Sequence, residues 1–307
     1  MRLKFFRRLI AAPAILLAPP VAAQHFRAPV ATPTRATANE ADPALWVIKN
    51  KDTTIYLFGT VHVLKPGLRW FDNRIKKAFD SSDELVLEMV QPDTATMQKI
   101  VLNKAYSKDG PTLTLRLPAA DRAGYLKALA DLGLPSAAFD HAQPWFVATN
   151  LSILPLLKLG YDLSSGPETV LTKAAKDSKK PIEGLETADQ QIGFLSNLPA
   201  ATQIKFLTST IKDLPKTAES MNGMVAAWSQ GDPDKLGAFM NEGMEDSPYL
   251  ATALLFDRNA RWAQWIRGRL GQPGTVFIAV GAGHLAGKLS VIDQLKTLGI
   301  RATRVAY

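Results

Sequence analysis

The sequence contains no cysteine. That excludes disulfide staples, thiolate-bound metals and a cysteine nucleophile, and it removes the usual clue to redox compartment. Histidine is scarce, 4 among 307 residues, so an imidazole beside an apolar run stands out. The HExxH helix of zinc peptidases, the GxSxG elbow of serine hydrolases and the glycine-rich phosphate loop are all missing. Past the N-terminus no charge-free run is long enough to span a bilayer. The formal charge of +8 does not signal a nucleic-acid partner. Arg2, Lys4, Arg7 and Arg8 supply half of it, and no basic stripe with interleaved aromatics remains without them. What is present is a 47% apolar, 21% charged chain, the balance of a folded domain with a sizeable core.

The first residues have the form of an export signal. A basic stretch from Arg2 to Arg8 precedes an apolar run from Leu9 to Ala18, and Val21-Ala22-Ala23 offers a small-residue cleavage site before Gln24. The expectation is a signal peptide over residues 1–23 and a periplasmic or secreted protein with no stable membrane span after cleavage. Residues 24–43, rich in Ala, Pro and Thr, read as a disordered tether. Residues 44–307 read as one α/β domain.

Within that domain, 45–48 and 54–58 are apolar runs flanking Asn50-Lys51-Asp52, the pattern of a hairpin. Residues 85–90 and 275–280 read as buried strands of a parallel sheet, 180–187 as a short strand running into a turn, and 302–305 as an edge strand. Helical spacing covers 72–81, 93–106, 118–132, 144–159, 167–178, 188–198, 200–213, 215–230, 233–243, 247–270 and 290–298. Pro155 should kink or break the helix over 144–159. The order predicts a central, mostly parallel sheet flanked by helices, with a helical insertion between about Gln91 and Gln272.

One phrase occurs twice. Gly59-Thr60-Val61-His62 ends the run 54–58, and Gly281-Ala282-Gly283-His284 ends the run 275–280. With 20 Gly and 4 His in the chain, chance supplies about 0.26 Gly-x-x-His pairs. Glycine at each strand end is expected to permit a sharp turn, leaving a histidine just past a strand's carboxyl end, where open α/β sheets carry their sites. Glu88 lies inside an apolar strand, so it either ends that strand at the site or needs a buried partner. Glu183 or Glu186 lies at the end of the short strand, and either could instead face solvent. Arg258 lies in a long helix, as a paired residue or as a clamp on an oxyanion. Two imidazoles and one or two carboxylates at one sheet edge suit a divalent ion such as Mn, Co or Zn. They equally suit metal-free acid–base work by a His–Glu pair. His25 and His141 have no such context.

These residues carry a resemblance. Leu45-Trp46, Ile55 to His62, Leu85 to Glu88, Gly184-Leu185-Glu186-Thr187 with Gln190, Arg258-Asn259 with Trp262, and Val280 to Leu285 resemble, in order and spacing, the TraB/PrgY/GumN family. The resemblance implies an erythromycin-esterase/ChaN-like fold of two related halves. Through the family's animal relatives, which are metal-dependent proteases with two GxxH motifs, it implies His62, His284, Glu88 and Glu186 at a metal centre, with Glu88 and Arg258 catalytic. Asp257 stands where many relatives have Glu. The function expected on this basis is that of an exported metal-dependent hydrolase acting on a peptide or small molecule. A haem- or ligand-binding protein of ChaN-like type and a non-catalytic regulator are the alternatives.

Overall fold

Asn50 shapes the first hairpin. Its side-chain oxygen accepts from the backbone N–H groups of Asp52 and Thr53, and its amide donates to the carbonyl of Leu270. The two strands it joins are β1, Leu45–Lys49, and β2, Thr53–Thr60, paired antiparallel. The structure, a computed structural model, describes residues 40–107, 109–241 and 248–306. The expected signal peptide, His25 and most of the expected tether lie outside them. Residues 40–43, expected as the end of that tether, pack on the domain. Ala41 is buried and donates to the carbonyl of Arg69, and Asp42 donates to that of Ser229.

Four more strands complete the sheet: β3, Glu84–Met89; β4, Ile182–Glu186; β5, Gly274–Gly281; and β6, Thr303–Arg304. Their order is β4-β3-β5-β2-β1-β6. The pairs β4–β3, β3–β5 and β5–β2 are parallel, and only β1 runs against its neighbours. The protein is thus α/β, a mixed sheet flanked by helices. Side chains alternate across the central strands as a pleat requires. Phe58, Phe277 and Ala279 join Trp70, Phe79 and Trp228 on one face, while Ile55, Leu57, Val276, Ile278 and Val280 join Trp262 and Ile266 on the other. The helices between β3 and β5 build a further core around Tyr125, Trp145, Phe146 and Phe206. Among the described residues no helix is long and apolar enough to cross a membrane.

Two helices depart from their expected form. Helix Pro144–Lys158 runs unbroken through Pro155. That proline falls one turn from the helix end, so few hydrogen bonds depend on it. The buried face from Trp145 to Leu156 holds the remainder in place. The long helix expected over 247–270 is instead composite. It consists of Pro248–Ala251, a π-turn over Thr252–Phe256 and Asp257–Arg269. The N–H of Asp257 reaches the carbonyl of Thr252, five residues back. A single π-turn shifts the phase of everything after it, and such turns gather at functional sites. Here it faces both Arg258 and Asn259 inward with Trp262.

Candidate functional site

β2 and β5 are parallel neighbours in register, with Gly59 opposite Val280 and Thr60 opposite Gly281. The two Gly-x-x-His phrases therefore emerge side by side at the sheet's carboxyl edge. After β5 a 3-10 turn over Ala282–His284 carries His284 into full burial. The glycines serve a purpose other than the expected sharp turn. Gly281 has φ −50 and ψ 132, open to any residue. A side chain on Gly59 would meet Ala282 at 3.1 Å, and one on Gly281 would meet the Glu88 carboxylate at 2.9 Å. Close approach, not backbone freedom, is what glycine serves at both positions: a Cβ would crowd Ala282 at one and force the Glu88 carboxylate to shift at the other.

Glu88 belongs to β3, whose pairing with β5 ends at Leu87. Past that point its Oε1 accepts from the N–H of Gly281 at 2.6 Å, and its Oε2 accepts from Arg258 Nη2 at 2.7 Å. Glu186 ends β4 and is buried, while Glu183 is exposed, which resolves the choice between them. Thr187 and Gln190 then form a reciprocal capping box on helix Ala188–Ser196. The capped helix presents Gln191, whose amide donates to Glu88 Oε2 at 3.2 Å and to Glu186 Oε2 at 3.0 Å.

Arg258 fills the middle. Its Nε bonds Glu186 Oε1 and Oε2, its Nη2 bonds Glu88 and Glu186, and its Nη1 bonds the carbonyl of Leu254 and lies 3.2 Å from His284 Nε2. The guanidinium stacks over Trp262, 4.8 Å from the ring centre. Asp257 beside it is exposed. The tautomer of His284 follows by elimination. Arginine only donates, so Nε2 is the acceptor there. Asn259 gives its amide N–H to the carbonyl of Leu289, so its oxygen faces His284 Nδ1 at 2.6 Å and receives that proton.

His62 is held differently. Its Nδ1 lies 2.7 Å from Glu168 Oε1, which also accepts from the Thr60 hydroxyl at 2.6 Å. That carboxylate accepts a hydrogen bond from Nδ1–H, and His62 Nε2 is left buried with no partner. Glu168 sits in the first turn of helix Pro167–Asp177. A Cβ on Gly166, the cap of that helix, would run into the His62 carbonyl, so the helix start lies directly on the His62 backbone. The sequence reading missed Glu168 and Gln191. It noted Asn259 only as part of a motif. His141 is exposed and outside this group.

The charges follow from these contacts. Burial pushes the Glu88 carboxyl up, but Arg258, the two imidazoles and the Gly281 N–H outweigh it and hold it at about 2. Burial, with the Arg258 charge in support, takes His284 down to about 3, so its ring is neutral. His62 is pulled up: burial opposes protonation, and Glu168 overcomes it. Glu168 is held below its ordinary range despite burial, by His62 and the Thr60 hydroxyl. Exposure grades across the group. His284 is 0% exposed, Arg258 2%, Glu186 4% and Glu88 9%, against 13% for His62 and 27% for Glu168. Solvent therefore reaches the cluster from the His62–Glu168 side. A separate cavity of about 780 Å³, lined by Trp46, Lys288, Ile292 and Lys296, includes none of these side chains.

The TraB/PrgY/gumN family model matches residues 44–304. The chain belongs to that family. This TraB/PrgY/gumN protein is 24% identical to YbaP of Escherichia coli (strain K12) over 83% of its own length and 92% of the relative's. It is also 24% identical to a protein of Treponema pallidum (strain Nichols), over 82% and 79%. Both relatives are uncharacterized. No solved structure matches it significantly.

The donors fit a divalent ion in kind. Each imidazole has its Nδ1 proton tied down and its Nε2 lone pair free of a proton when the ring is neutral, the usual preparation of a metal-ligating histidine. His62 Nε2 is an orphaned buried atom, and Glu88 is an ionised carboxylate. Among the described residues no three such side chains are already gathered as a metal cage. Arg258 bonds Glu88 Oε2 and lies 3.2 Å from His284 Nε2, so two of the three donors already face a cation.

Proposed function

We propose that the protein is an exported, metal-dependent hydrolase acting on peptides. The observation that carries the reading is the bare, buried Nε2 of His62, a ring that Glu168 holds through Nδ1 just past the carboxyl end of β2. A buried nitrogen without a partner is costly, and a site that binds something there repays that cost. His62, His284 and Glu88 would hold the ion, of the Mn, Co or Zn type. An ion bound there supplies Lewis acidity and a water acidified toward neutral pH.

The chain's own groups then have distinct work. Glu88, ionised at any physiological pH, would either complete the ion's shell or serve as the general base beside it. Glu168 holds the His62 ring in one orientation through Nδ1. Gln191 has a side-chain oxygen without a partner, an acceptor suited to a substrate N–H. Glu186 is committed to Arg258 through both carboxylate oxygens. All five N–H groups of Arg258 are spent on protein acceptors, so a role on a developing oxyanion requires it to give one up. The His62–Glu168 side, where the exposure lies, is the route for substrate. Export to the periplasm or beyond is supported by the basic, apolar and small-residue succession over residues 1–23.

The test is a peptide library incubated with the mature protein and Mn²⁺, Co²⁺ or Zn²⁺ in turn. Turnover that depends on one of these ions and disappears in His62→Ala supports the reading. Equal turnover of wild type and His62→Ala under every ion overturns it.

A further inference from the structure

Resting on that metal-dependent reading, we propose that Arg258 is the site's resident cation, in direct competition with a divalent ion. Loading the site then requires the guanidinium to release His284 and Glu88. The argument is a count of lone pairs. A neutral imidazole with its Nδ1 proton on Asn259 has a single in-plane lone pair, at Nε2. Arg258 Nη1 lies 3.2 Å from it. The same nitrogen cannot serve an N–H donor and a metal ion at once.

Glu88 presents the same conflict. Its Oε1 accepts from the Gly281 N–H, and its Oε2 is shared by Arg258 Nη2 and Gln191. A guanidinium and a divalent ion a few ångströms apart in a buried pocket repel strongly. Glu88 and Glu186 both pair with the single guanidinium of Arg258, which offsets half of their charge in this structure.

A displaced guanidinium has somewhere to stay. Its Nε bonds both oxygens of Glu186, so a swing about the Nε end frees His284 and Glu88 while the Glu186 pair persists. On this account Glu186 retains the arginine rather than ligating the metal. Trp262 is placed to report the exchange. Its ring lies 4.8 Å from the guanidinium carbon and 4.4 Å from the centre of the His284 ring.

The experiment titrates Mn²⁺, Co²⁺ and Zn²⁺ into the full chain stripped of metal, with Trp fluorescence and calorimetry as readouts. Movement of Arg258 predicts a saturable fluorescence change that is lost in Trp262→Phe. It also predicts that Arg258→Gln binds the same ion more tightly than wild type, by about tenfold or more, the scale of coupling between two ligands competing for one site. A folded Arg258→Gln that binds equally or more weakly overturns the proposal, as does metal binding to wild type with no Trp262 response. If Arg258→Gln does not fold, the wild-type fluorescence titration decides alone. Metal binding by neither protein overturns the metal-dependent reading itself, which separates the two failures.

Discussion

Two histidines in matching phrases are prepared in opposite ways. His284 is wholly buried, neutral and held between Asn259 and Arg258. His62 is partly exposed, pulled toward its protonated form by Glu168, and open at Nε2. Glu168→Gln separates the two largest influences on His62, burial and the Glu168 carboxylate. Burial remains and the carboxylate's pull is gone, so the ring's pKa is expected to fall below its ordinary 6.5. An NMR titration of the ring Cε1–H measures it. The same variant is expected to lose about 10- to 100-fold in affinity for any divalent ion, the usual effect of removing a carboxylate behind a ligating imidazole. A titration midpoint unchanged from wild type would mean that Glu168 does not govern His62.

At the scale of elements, the close approach of β2, β3 and β5 is the constraint. Gly281→Ala puts a methyl 2.9 Å from Glu88 Oε1 and threatens the 2.6 Å bond from the Gly281 N–H. A loss of about 1–3 kcal/mol in stability is expected from overpacking and a weakened buried hydrogen bond, read from urea denaturation. Pro155→Ala should act in the opposite direction. It restores a helical N–H that Pro lacks and is expected to raise stability by about 1–3 kcal/mol, at or below the cost of an interior proline.

The strands and most helices were legible because apolar period and breakers agree along the chain. Glu88, His62, His284 and Arg258 could be singled out because each breaks its element's pattern. Glu168 could not. An acidic residue in the first turn of a helix is what the helix dipole favours anyway, so nothing marked it as unusual. Gln191 was hidden in the same way by the capping box beside it. The π-turn before Arg258 was invisible because a one-residue change of phase leaves no mark in an already amphipathic run.

For the molecule as a whole, the buried charges set an acid limit. The unfolded chain takes a proton on His284 near 6.5, and the folded one resists until about 3. The His284 contribution to stability is therefore full above 6.5 and is lost as pH falls toward 3. Glu88, lowered from 4.5 to about 2, adds a loss that begins below 4.5, and Glu168 acts in the same sense. His62, raised, contributes fully below 6.5 and loses its contribution as pH rises through its folded value. Urea midpoints measured across pH should decline from about 6.5 downward and fall more steeply below about 4.5. A midpoint flat down to 4.5 would show that His284 is not held neutral.

The pairing of β2 with β5 joins the two ends of the polypeptide. A nascent chain emerging from its N-terminus already holds His62, Glu88 and Glu168, yet the cluster is incomplete until β5, with His284 just past it, inserts between β3 and β2. A chain that stops short of β5 therefore lacks the Gly281 N–H that holds Glu88 and the His284 ring beside Arg258.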